Sequence, residues 1–402
     1  MKMPTTSRCV AVASLLFVLS GIAQAVEIYF PSFQRNSMVH FRNDQFIAEI
    51  PNPPEINGNP VCGYPCVGTR SMVLGPDGKF YISSLTTTDP NDGTTDSSQG
   101  VVMVFDPSTD TFDPDPFVTG IGNPGQPFTG PTGIAFGGPN NDLYVTGGEF
   151  GAAYVRRYDG TTGAPLAPDP FVQGGLNKEP NNMITAPDGD LLVAGGGGGI
   201  RRVDPVTGAV SVFAELSPSP PAGEPDDGAR VKGMVFSPDE SILYVGTDSG
   251  GLGDPNNDAV IRFDAATGAR ITDAPDPFVP SGQDGTNPNY PTNNIEGLVF
   301  SPDESILFVG SLGLADVPAA ANAIYRVDPN TGNFLDGIDQ NGTIIPYIFD
   351  ISTTTSQGGP GGGAPMSPMR VITLIPEPSS LLLVGIGGLF ALFGYGRRRL
   401  AC

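Results

Sequence analysis

The chain has 402 residues and a formal net charge of −22, from 42 acidic and 20 basic residues. This acidic balance, without a basic patch, excludes a nucleic-acid binder. Tryptophan is absent and His40 is the single histidine, so a His-rich metal site is excluded and a Ser-His-Asp triad could use no other imidazole.

Residues 1–25 are typical of a secretory signal. Lys2 and Arg8 give the start a positive charge, residues 10–22 are apolar, and Ala23-Gln24-Ala25 is a small-x-small cleavage site. The apolar run is short for a membrane span. We therefore predict cleavage after Ala25, with an uncleaved N-terminal anchor as the alternative.

Two cysteines near the start agree with export. They lie in the segment Cys62-Gly63-Tyr64-Pro65-Cys66. In an oxidising compartment, Cys62 and Cys66 are expected to pair as a disulfide within a small loop, and free thiols are the alternative. The spacing is one residue wider than that of a Cys-x-x-Cys redox motif.

A repeat occupies the middle of the chain. Residues 236–246 read FSPDESILYVG and residues 300–310 read FSPDESILFVG, which differ at one position. Weaker copies occur at residues 72–83, 134–146 and 183–194. Each copy predicts a strand, a tight turn and a second strand, because proline presets φ and the aspartate side chain can bond to the turn backbone.

A second motif alternates with the first and predicts a hairpin. It reads apolar-x-apolar-Asp-x-x-Thr-Gly, and its aspartates are Asp106, Asp159, Asp204, Asp264 and Asp328. The closing glycines are Gly163, Gly208, Gly268 and Gly332, while Asp110 stands at this place in the first copy. Three copies continue into Pro-Asp-Pro-Phe-Val, beginning at Pro114, Pro168 and Pro275. Proline there favours an outer edge strand.

Four strands per unit at a period of roughly 50–64 residues are typical of β-propeller blades. Five units are complete between residues 26 and 375. We predict that a sixth is assembled from both ends, with strands at residues 28–33, 38–41 and 46–50 and an inner strand at 369–375. The predicted fold is an all-β, six-bladed propeller closed by N- and C-terminal strands, with seven blades as the alternative.

The motifs Phe-Ser-Pro-Asp and Leu-Tyr-Val-Gly resemble those of the NHL, SMP-30/gluconolactonase and YVTN propellers. The resemblance covers about residues 27–375 and is generic, since such folds host hydrolases, lectins and scaffolds. The long connections, such as residues 86–100, all fall on one predicted face.

Five polar residues begin the predicted inner strands on that face, and we call them the mouth ring: Arg70, Thr132, Asn181, Lys232 and Glu296. A ring of mixed charge is a candidate site for a sugar acid, a carboxylate or a metal-held water. The alternative is a solvated channel mouth with internal ion pairs.

The SMP-30 resemblance implies one divalent cation, held by Glu, Asn and Asp, and lactone cleavage. Glu296 is then the catalytic candidate, and Asn181 and Asn182 are candidate ligands for Ca²⁺ or a similar ion. Arg70 and Lys232 stand where further ligands are needed, which weakens this hypothesis. Acidic loops offer separate candidate calcium ligands that lack EF-hand spacing: Asp89, Asp92, Asp254 and Asp258.

The C-terminus carries a second targeting signal. Pro376-Glu377-Pro378 is followed by an apolar segment at residues 381–395 and by three arginines at 397–399. This order resembles the PEP-CTERM sorting tail of Gram-negative bacteria. The resemblance implies export, transient retention in the inner membrane by a helix within residues 376–402, and processing by an exosortase-type enzyme. The arginines should stay cytoplasmic, and a plain C-terminal anchor is the alternative.

The sequence therefore predicts an exported propeller sorted to the cell surface or extracellular matrix, acting as a non-catalytic binding or scaffold module. Expected partners are the processing enzyme and an extracellular polysaccharide or envelope protein. The alternative function is a divalent-metal-dependent lactonase or hydrolase at the channel mouth. Chain direction also predicts that the tail leaves on the face of the tight turns, so that the mouth ring points away from the membrane.

Overall fold

A computed structural model gives the arrangement of most of the chain. The residues it describes are 26–32, 37–42, 45–51, 55–56, 59–60, 69–88, 95–122, 130–148, 153–177, 180–196, 199–216, 230–248, 258–280, 295–311, 323–337, 344, 347 and 373–376.

All the regular elements within these residues are strands. The N-terminal strands are β1 (Val26–Ser32), β2 (Ser37–Arg42) and β3 (Gln45–Pro51), followed by a short hairpin of β4 (Glu55–Ile56) and β5 (Asn59–Pro60). Blade 1 contains β6 (Thr69–Leu74), β7 (Phe80–Thr88), β8 (Thr95–Asp106), β9 (Thr111–Phe112) and β10 (Val118–Gly122). Blade 2 contains β11 (Pro131–Gly137), β12 (Asp142–Gly147), β13 (Tyr154–Tyr158) and β14 (Val172–Gln173).

The later blades repeat this plan. Blade 3 contains β15 (Asn182–Thr185), β16 (Leu191–Ala194), β17 (Gly199–Val203) and β18 (Val210–Glu215). Blade 4 contains β19 (Arg230–Phe236), β20 (Ile242–Asp248) and β21 (Val260–Asp264), and blade 5 contains β22 (Ile295–Phe300), β23 (Leu307–Ser311) and β24 (Ala323–Val327). In these two blades the described part of the fourth strand is limited to isolated bridges: Val260–Val279 and Phe263–Arg270 in blade 4, and Val327–Phe334 in blade 5. The last strand is β25 (Thr373–Pro376).

The sixth, closing blade is built from both ends of the described chain. Its strand order is β25-β1-β2-β3, and the ladder between β25 and β1 runs from Val26–Pro376 to Tyr29–Thr373. The six-bladed propeller closed by N- and C-terminal strands is thus confirmed. The described inner strand lies at the end of the predicted segment 369–375 and extends one residue further, to Pro376.

Packing between blades closes the ring. Six hydrophobic clusters among the described residues each join two successive blades. The closing blade contributes Phe30 and Phe41 to a cluster with Phe308 of blade 5, and Tyr29 to a cluster with Phe80 of blade 1. Because both faces of a blade are covered, β12 is buried throughout, and its centre, Leu143-Tyr144-Val145, is apolar.

The chain direction defines two faces. The tight turns between first and second strands, and those between third and fourth strands, lie on one side, which we call the turn face. The connections between second and third strands, and the links between blades, lie on the opposite side, the loop face. The predicted long loop at residues 86–100 is largely a hairpin extension, because β7 and β8 remain paired up to Thr88–Thr95. Its threonines favour extended backbone.

The repeated aspartate organises the turn face. The Asp204 carboxylate accepts hydrogen bonds from the backbone amides of Val206 and Thr207 at 2.7 and 3.0 Å. Gly208 then closes the hairpin with φ of +73°, a conformation that glycine adopts without cost. At the equivalent Gly268, a Cβ would also clash with the Phe213 carbonyl oxygen of the preceding blade. The motif therefore shapes the turn and allows its neighbour to approach.

Tyrosines of the second strands tie these turns to the preceding blade. The Tyr144 hydroxyl donates to the Pro205 carbonyl at 2.7 Å, and the Tyr244 hydroxyl donates to the Pro329 carbonyl at 2.9 Å. Each bond crosses from one blade to the turn of the next. Such bonds are worth about 1 kcal/mol each, and more where losing one leaves a buried group unpaired.

We expect removal of the closing strand to destabilise the whole ring. A chain ending at residue 363 leaves the inner edge of β1 without its ladder, so its free energy of unfolding should fall by about 3 kcal/mol or more relative to a chain ending at Pro376. Urea unfolding of the two exported domains measures the difference. Equal midpoints and equal m-values would show that β25 does not close the ring.

The turn aspartates predict loss of stability in acid. Backbone amides of Thr207 and Val206, together with the Thr207 hydroxyl, lower the pKa of Asp204. An acid whose pKa is lower in the folded state stabilises the fold above its unfolded value of about 3.9, and this contribution disappears as pH falls through the folded value. Asp204→Asn keeps one acceptor oxygen but cannot titrate.

Urea midpoints of the wild type and Asp204→Asn between pH 7 and pH 3 test this directly. The variant should lose less stability in acid than the wild type. Asp264→Asn serves as the matched repeat in the next blade, because hydrogen bonds from Thr267 lower the pKa of Asp264. Parallel acid profiles of wild type and both variants would contradict the assignment.

Candidate functional site

Mouth-ring residues lie at β-bulges of the innermost strands. In β19, Lys232 is the extra residue between the ladder pairs Val231–Thr247 and Gly233–Gly246. Three other inner strands carry the same one-residue bulge. It falls at Arg70 in β6, at Thr132 and Gly133 in β11, and at Glu296 in β22. A bulge takes its extra residue out of the regular alternation of side chains. The same irregularity therefore recurs at the mouth of the channel in four blades.

Blade 3 places Asn181 at the corresponding level. Its backbone amide donates to the Ala194 carbonyl at 2.9 Å, and the ladder pairs Ala194 with the next residue, Asn182. Both asparagines thus face one residue of β16. The Nδ2 atom of Asn181 is buried and has no hydrogen-bond partner in the described part of the chain. Asn181 therefore offers a donor to a ligand that brings an acceptor.

Neighbouring inner strands approach closely behind the bulges. A Cβ on Gly133 would stand 2.8 Å from the Asn182 carbonyl carbon, and a Cβ on Gly233 would stand 3.3 Å from the Glu296 carbonyl oxygen. The first of these distances is closer than a side chain tolerates. Glycine after the bulge therefore lets the inner strands converge around a narrow channel.

Several polar groups at the mouth are bonded to backbone. The Asn182 Nδ2 donates to the Lys232 carbonyl at 2.9 Å, and the Asn182 Oδ1 accepts the Met183 amide at 2.8 Å. The Thr132 hydroxyl donates to the Thr146 carbonyl at 3.3 Å. These bonds join inner strands to one another and to their own blades. Both polar atoms of Asn182 thus already bond to backbone, and a metal ion could use only the second lone pair of its Oδ1.

All four mouth-ring residues whose side chains are described are buried. Thr132, Asn181, Lys232 and Glu296 are 2, 4, 8 and 3% exposed. Arg70 lies in β6, and its side chain falls outside the described residues. A ligand that touches these side chains must therefore enter the mouth rather than rest on an open surface.

Beneath the mouth ring, the channel is mainly apolar. A cavity of about 300 Å³ is lined chiefly by Met72, Ile134, Met183, Met234 and Leu298. Asn182 and Thr185 are the polar side chains among its described lining residues. The channel thus changes from a polar mouth to an apolar interior, which offers a cation few oxygen ligands.

The remaining candidate metal ligands and the two cysteines are distant from the mouth ring in the sequence or lie outside the described residues. Asp258 is fully buried and adopts a φ of +54°. The other loop candidates Asp89, Asp92 and Asp254, and the cysteines Cys62 and Cys66, lie outside the described residues. Within the part of the chain that is described, no three His, Cys, Asp or Glu side chains group as a metal site would require.

A polar cluster that sequence reasoning missed lies where the closing blade meets blade 1. Glu27 contacts the His40 Nε2 and the Arg42 Nε, each at 2.5 Å. His40 Nδ1 lies 3.4 Å from an oxygen of Asp110, an ion-pair distance without hydrogen-bond geometry. The Tyr29 hydroxyl donates to Asp110 at 3.2 Å and its ring stacks on His40. Burial of the Tyr29 hydroxyl raises its pKa, and the neighbouring Asp110 carboxylate raises the pKa further.

Two departures from the repeat could have revealed this cluster. Asp110 has a φ of +54° at the place where four other hairpins use glycine. His40 pairs with the second strand of its blade at the ladder position that Arg157 occupies in blade 2. The single histidine is thus held between two carboxylates in the seam of the ring, which gives it a structural role.

Comparisons with known proteins address the tail and the fold. Residues 374–399 match the family model described as PEP-CTERM protein-sorting motif. The chain is therefore an exported, envelope-associated β-propeller whose tail implies an exosortase-type processing enzyme. No curated protein matches the chain. Among the described residues, no helix is long and apolar enough to span a membrane, and the predicted sorting helix lies outside them.

Solved structures resemble the chain in fold alone. A protein of unknown function from Bacteroides caccae superposes with a TM-score of 0.52 at 10% identity, over 88% of this chain and 100% of that one. Virginiamycin B lyase from Staphylococcus aureus gives 0.42 at 15% identity, over 74% and 76% of the two chains. The β-propeller domain of Myceliophteria thermophila Cps50 (Swd1) gives 0.39 at 11%, over 66% and 67%.

The polar cluster around Glu27 and His40 predicts that Glu27→Gln destabilises the fold. The change leaves the buried His40 and the half-exposed Arg42 without their shared carboxylate, so the free energy of unfolding should fall by about 1–3 kcal/mol. Asp113→Asn is the control, because Asp113 pairs with Lys79 at the surface and its loss should cost less than about 1 kcal/mol. Urea unfolding at pH 7 compares them. Equal losses of unfolding free energy in the two variants would show that the polar cluster around Glu27 does not stabilise the fold.

Proposed function

We propose that this exported propeller is a non-catalytic binding module that takes a hydroxyl-rich ligand, an extracellular polysaccharide, on its loop face. The observation that carries the proposal is the hairpin of β7 and β8. Beyond Ser84, which pairs with Thr69 of the inner strand, β7 continues for four more residues. At the rise of a strand this corresponds to about 13 Å of ribbon beyond the inner strand.

The composition of this hairpin supports carbohydrate contact. Twelve of the fifteen residues from 85 to 99 are Ser, Thr, Asp, Asn or Gln. Such side chains offer many hydrogen-bond donors and acceptors. The strongly acidic chain repels polyanions, so a neutral polysaccharide is the expected ligand. The mouth ring lies on the same face, and the Asn181 Nδ2 supplies a donor there.

The metal-dependent hydrolase has weaker support. Glu296 is near the mouth, but both polar atoms of Asn182 are bonded to backbone, and the channel beneath is mainly apolar. Lys232 adds a positive charge to the mouth ring, which disfavours a bound cation. These features favour recognition over metal-assisted hydrolysis.

Chain direction supports an orientation in which the loop face points toward extracellular material. The ladder of β25 and β1 ends at Val26–Pro376, on the turn face. The tail follows directly, so we propose that the turn face lies toward the membrane while the tail is in place. The β7–β8 hairpin and the mouth ring then point away from the membrane, toward extracellular material.

Trimming the hairpin tests the proposed binding. Thr86 and Gln99 are ladder partners, so residues 87–98 can be replaced by Asn-Gly, which forms a two-residue hairpin turn. The purified domain, residues 26–376, should bind immobilised neutral bacterial polysaccharide. The trimmed variant should melt like the wild type and bind at least about tenfold more weakly, a change of about 1.4 kcal/mol.

Val206→Ser on the turn face is the matched control, because Val206 is 63% exposed on the side away from the hairpin. It should bind as the wild type does. Equal binding by the trimmed variant, or no binding by the wild type, would overturn the proposal. Hydrolysis of a sugar lactone that EDTA stops and Glu296→Gln abolishes would favour the hydrolase instead.

A further inference from the structure

The channel is apolar and open at its turn-face end. Inner strands run from the loop face to the turn face, and their last residues lose the burial seen at the mouth ring. In β15, Met183 is buried while Ile184 and Thr185 are half-buried, and Leu74 at the end of β6 is 46% exposed. The cavity of about 300 Å³ reaches this end, because Leu74, Phe136 and Thr185 are among its lining residues. A ligand can therefore enter the cavity from the turn face.

Acidic turns surround this opening. Each inner strand leads directly into a tight turn, and the turns of blades 1, 3, 4 and 5 carry exposed acids. Lys79 is the single basic residue in these turns, and its ammonium group pairs with Asp113 at 3.0 Å. Arg202 of the third strand offsets Asp188 at 2.9 Å. The exposed acids, which we call the acidic rim, are Asp77, Asp188, Asp239, Glu240, Asp303 and Glu304. Acids that share one sign focus a negative potential on the opening.

One acid of the rim is tied to the cavity wall. The Tyr81 hydroxyl donates to Asp77 at 3.3 Å. The Tyr81 ring meets the Phe136 ring edge-on, with centroids 4.8 Å apart, and Phe136 lines the cavity. The Asp77 carboxylate is thus joined to the apolar wall through one side chain. A molecule that fills the cavity brings its outer end toward carboxylate charge.

Two acids of the rim occupy a backbone position that suits glycine. Glu240 and Glu304 have φ of +58° and +65°, where the equivalent turns of blades 1 and 3 use Gly78 and Gly189. A left-handed conformation is unfavourable for a residue with a Cβ. The chain therefore keeps negative charge at this rim although glycine would close the same turn more easily.

We propose that the turn-face opening of the channel binds a small organic cation with an apolar body, of the alkylammonium class. The apolar body fills the cavity among Met72, Met183 and Met234 and leaves water. Methionine side chains adapt to ligands of varied shape, and the cavity volume lies at the small end of ligand sites. The cationic head stays at the acidic rim, in contact with water. The site lies on the face opposite the polysaccharide surface and does not rest on it.

Probes with one tail and three different heads test the proposed chemistry. Hexyltrimethylammonium, hexyl sulfate and hexyl glucoside are titrated by calorimetry into residues 26–376, which include every strand of the closed ring. We expect saturable binding of one cation per domain, weaker at high salt. The sulfate and the glucoside should bind at least about tenfold more weakly. Equal binding of the three probes, or no saturable binding of the cation, would overturn the proposal.

Leu74→Lys tests the location of the site. Lysine at this exposed position places a positive charge at the opening, so the cation should bind at least about tenfold more weakly. Leu335→Lys is the matched control, because Leu335 is 47% exposed and follows the third strand of blade 5, away from the channel. It should bind as the wild type does. Equal affinities of the two variants would place the cation elsewhere and refute the site.

A second variant changes the acidic rim without touching the cavity. Glu240→Gln combined with Glu304→Gln removes two exposed charges, and we expect severalfold weaker binding of the cation. Asp169→Asn combined with Glu215→Gln makes the same change of net charge in the outer parts of blades 2 and 3, where these acids pair with Arg156 and Arg201. Melting checks that each variant is folded. Equal losses of affinity in the two double variants would show a general charge effect and contradict the proposal.

Discussion

Each blade of this protein is an antiparallel sheet with two apolar faces, and neither face can remain in water. The only arrangement that covers both faces of every blade is a closed ring, in which each blade packs between two others. The clusters formed by Phe30, Phe41 and Phe308 on one side of the closing blade, and by Tyr29 and Phe80 on the other, complete that ring. Every other feature depends on this closure.

The turn face shows how short local motifs serve the ring. An aspartate such as Asp204 fixes its hairpin by accepting backbone amides, and the following glycine fits against the preceding blade. Tyr144 and Tyr244 then bond to carbonyls of the next blade. Where the repeat changes, at Asp110 and His40, the altered side chains meet across the closing seam. The repeat thus positions blades, and its exceptions mark the place where the chain ends join.

The opposite face is where the fold leaves room for function. Bulges in the inner strands turn Lys232 and Glu296 out of the regular ladder, and the apolar channel below separates them from the turn face. The extended hairpin of blade 1 stands on the same side. The described closing ladder reaches Pro376 on the turn face, so the proposed orientation places display and anchoring on opposite faces of the ring.

The sequence alone predicted six blades, with seven as the alternative, and it determined the closing role of both chain ends and the sorting tail, because turn residues, alternating strands and charge order are local signals. It also located the mouth ring by alignment of the repeats. Only the tertiary structure decided that four of these residues sit at bulges, that both polar atoms of Asn182 bond to backbone, and that Glu27, His40 and Asp110 meet. Those facts depend on how separate blades approach one another, and no local pattern encodes that distance.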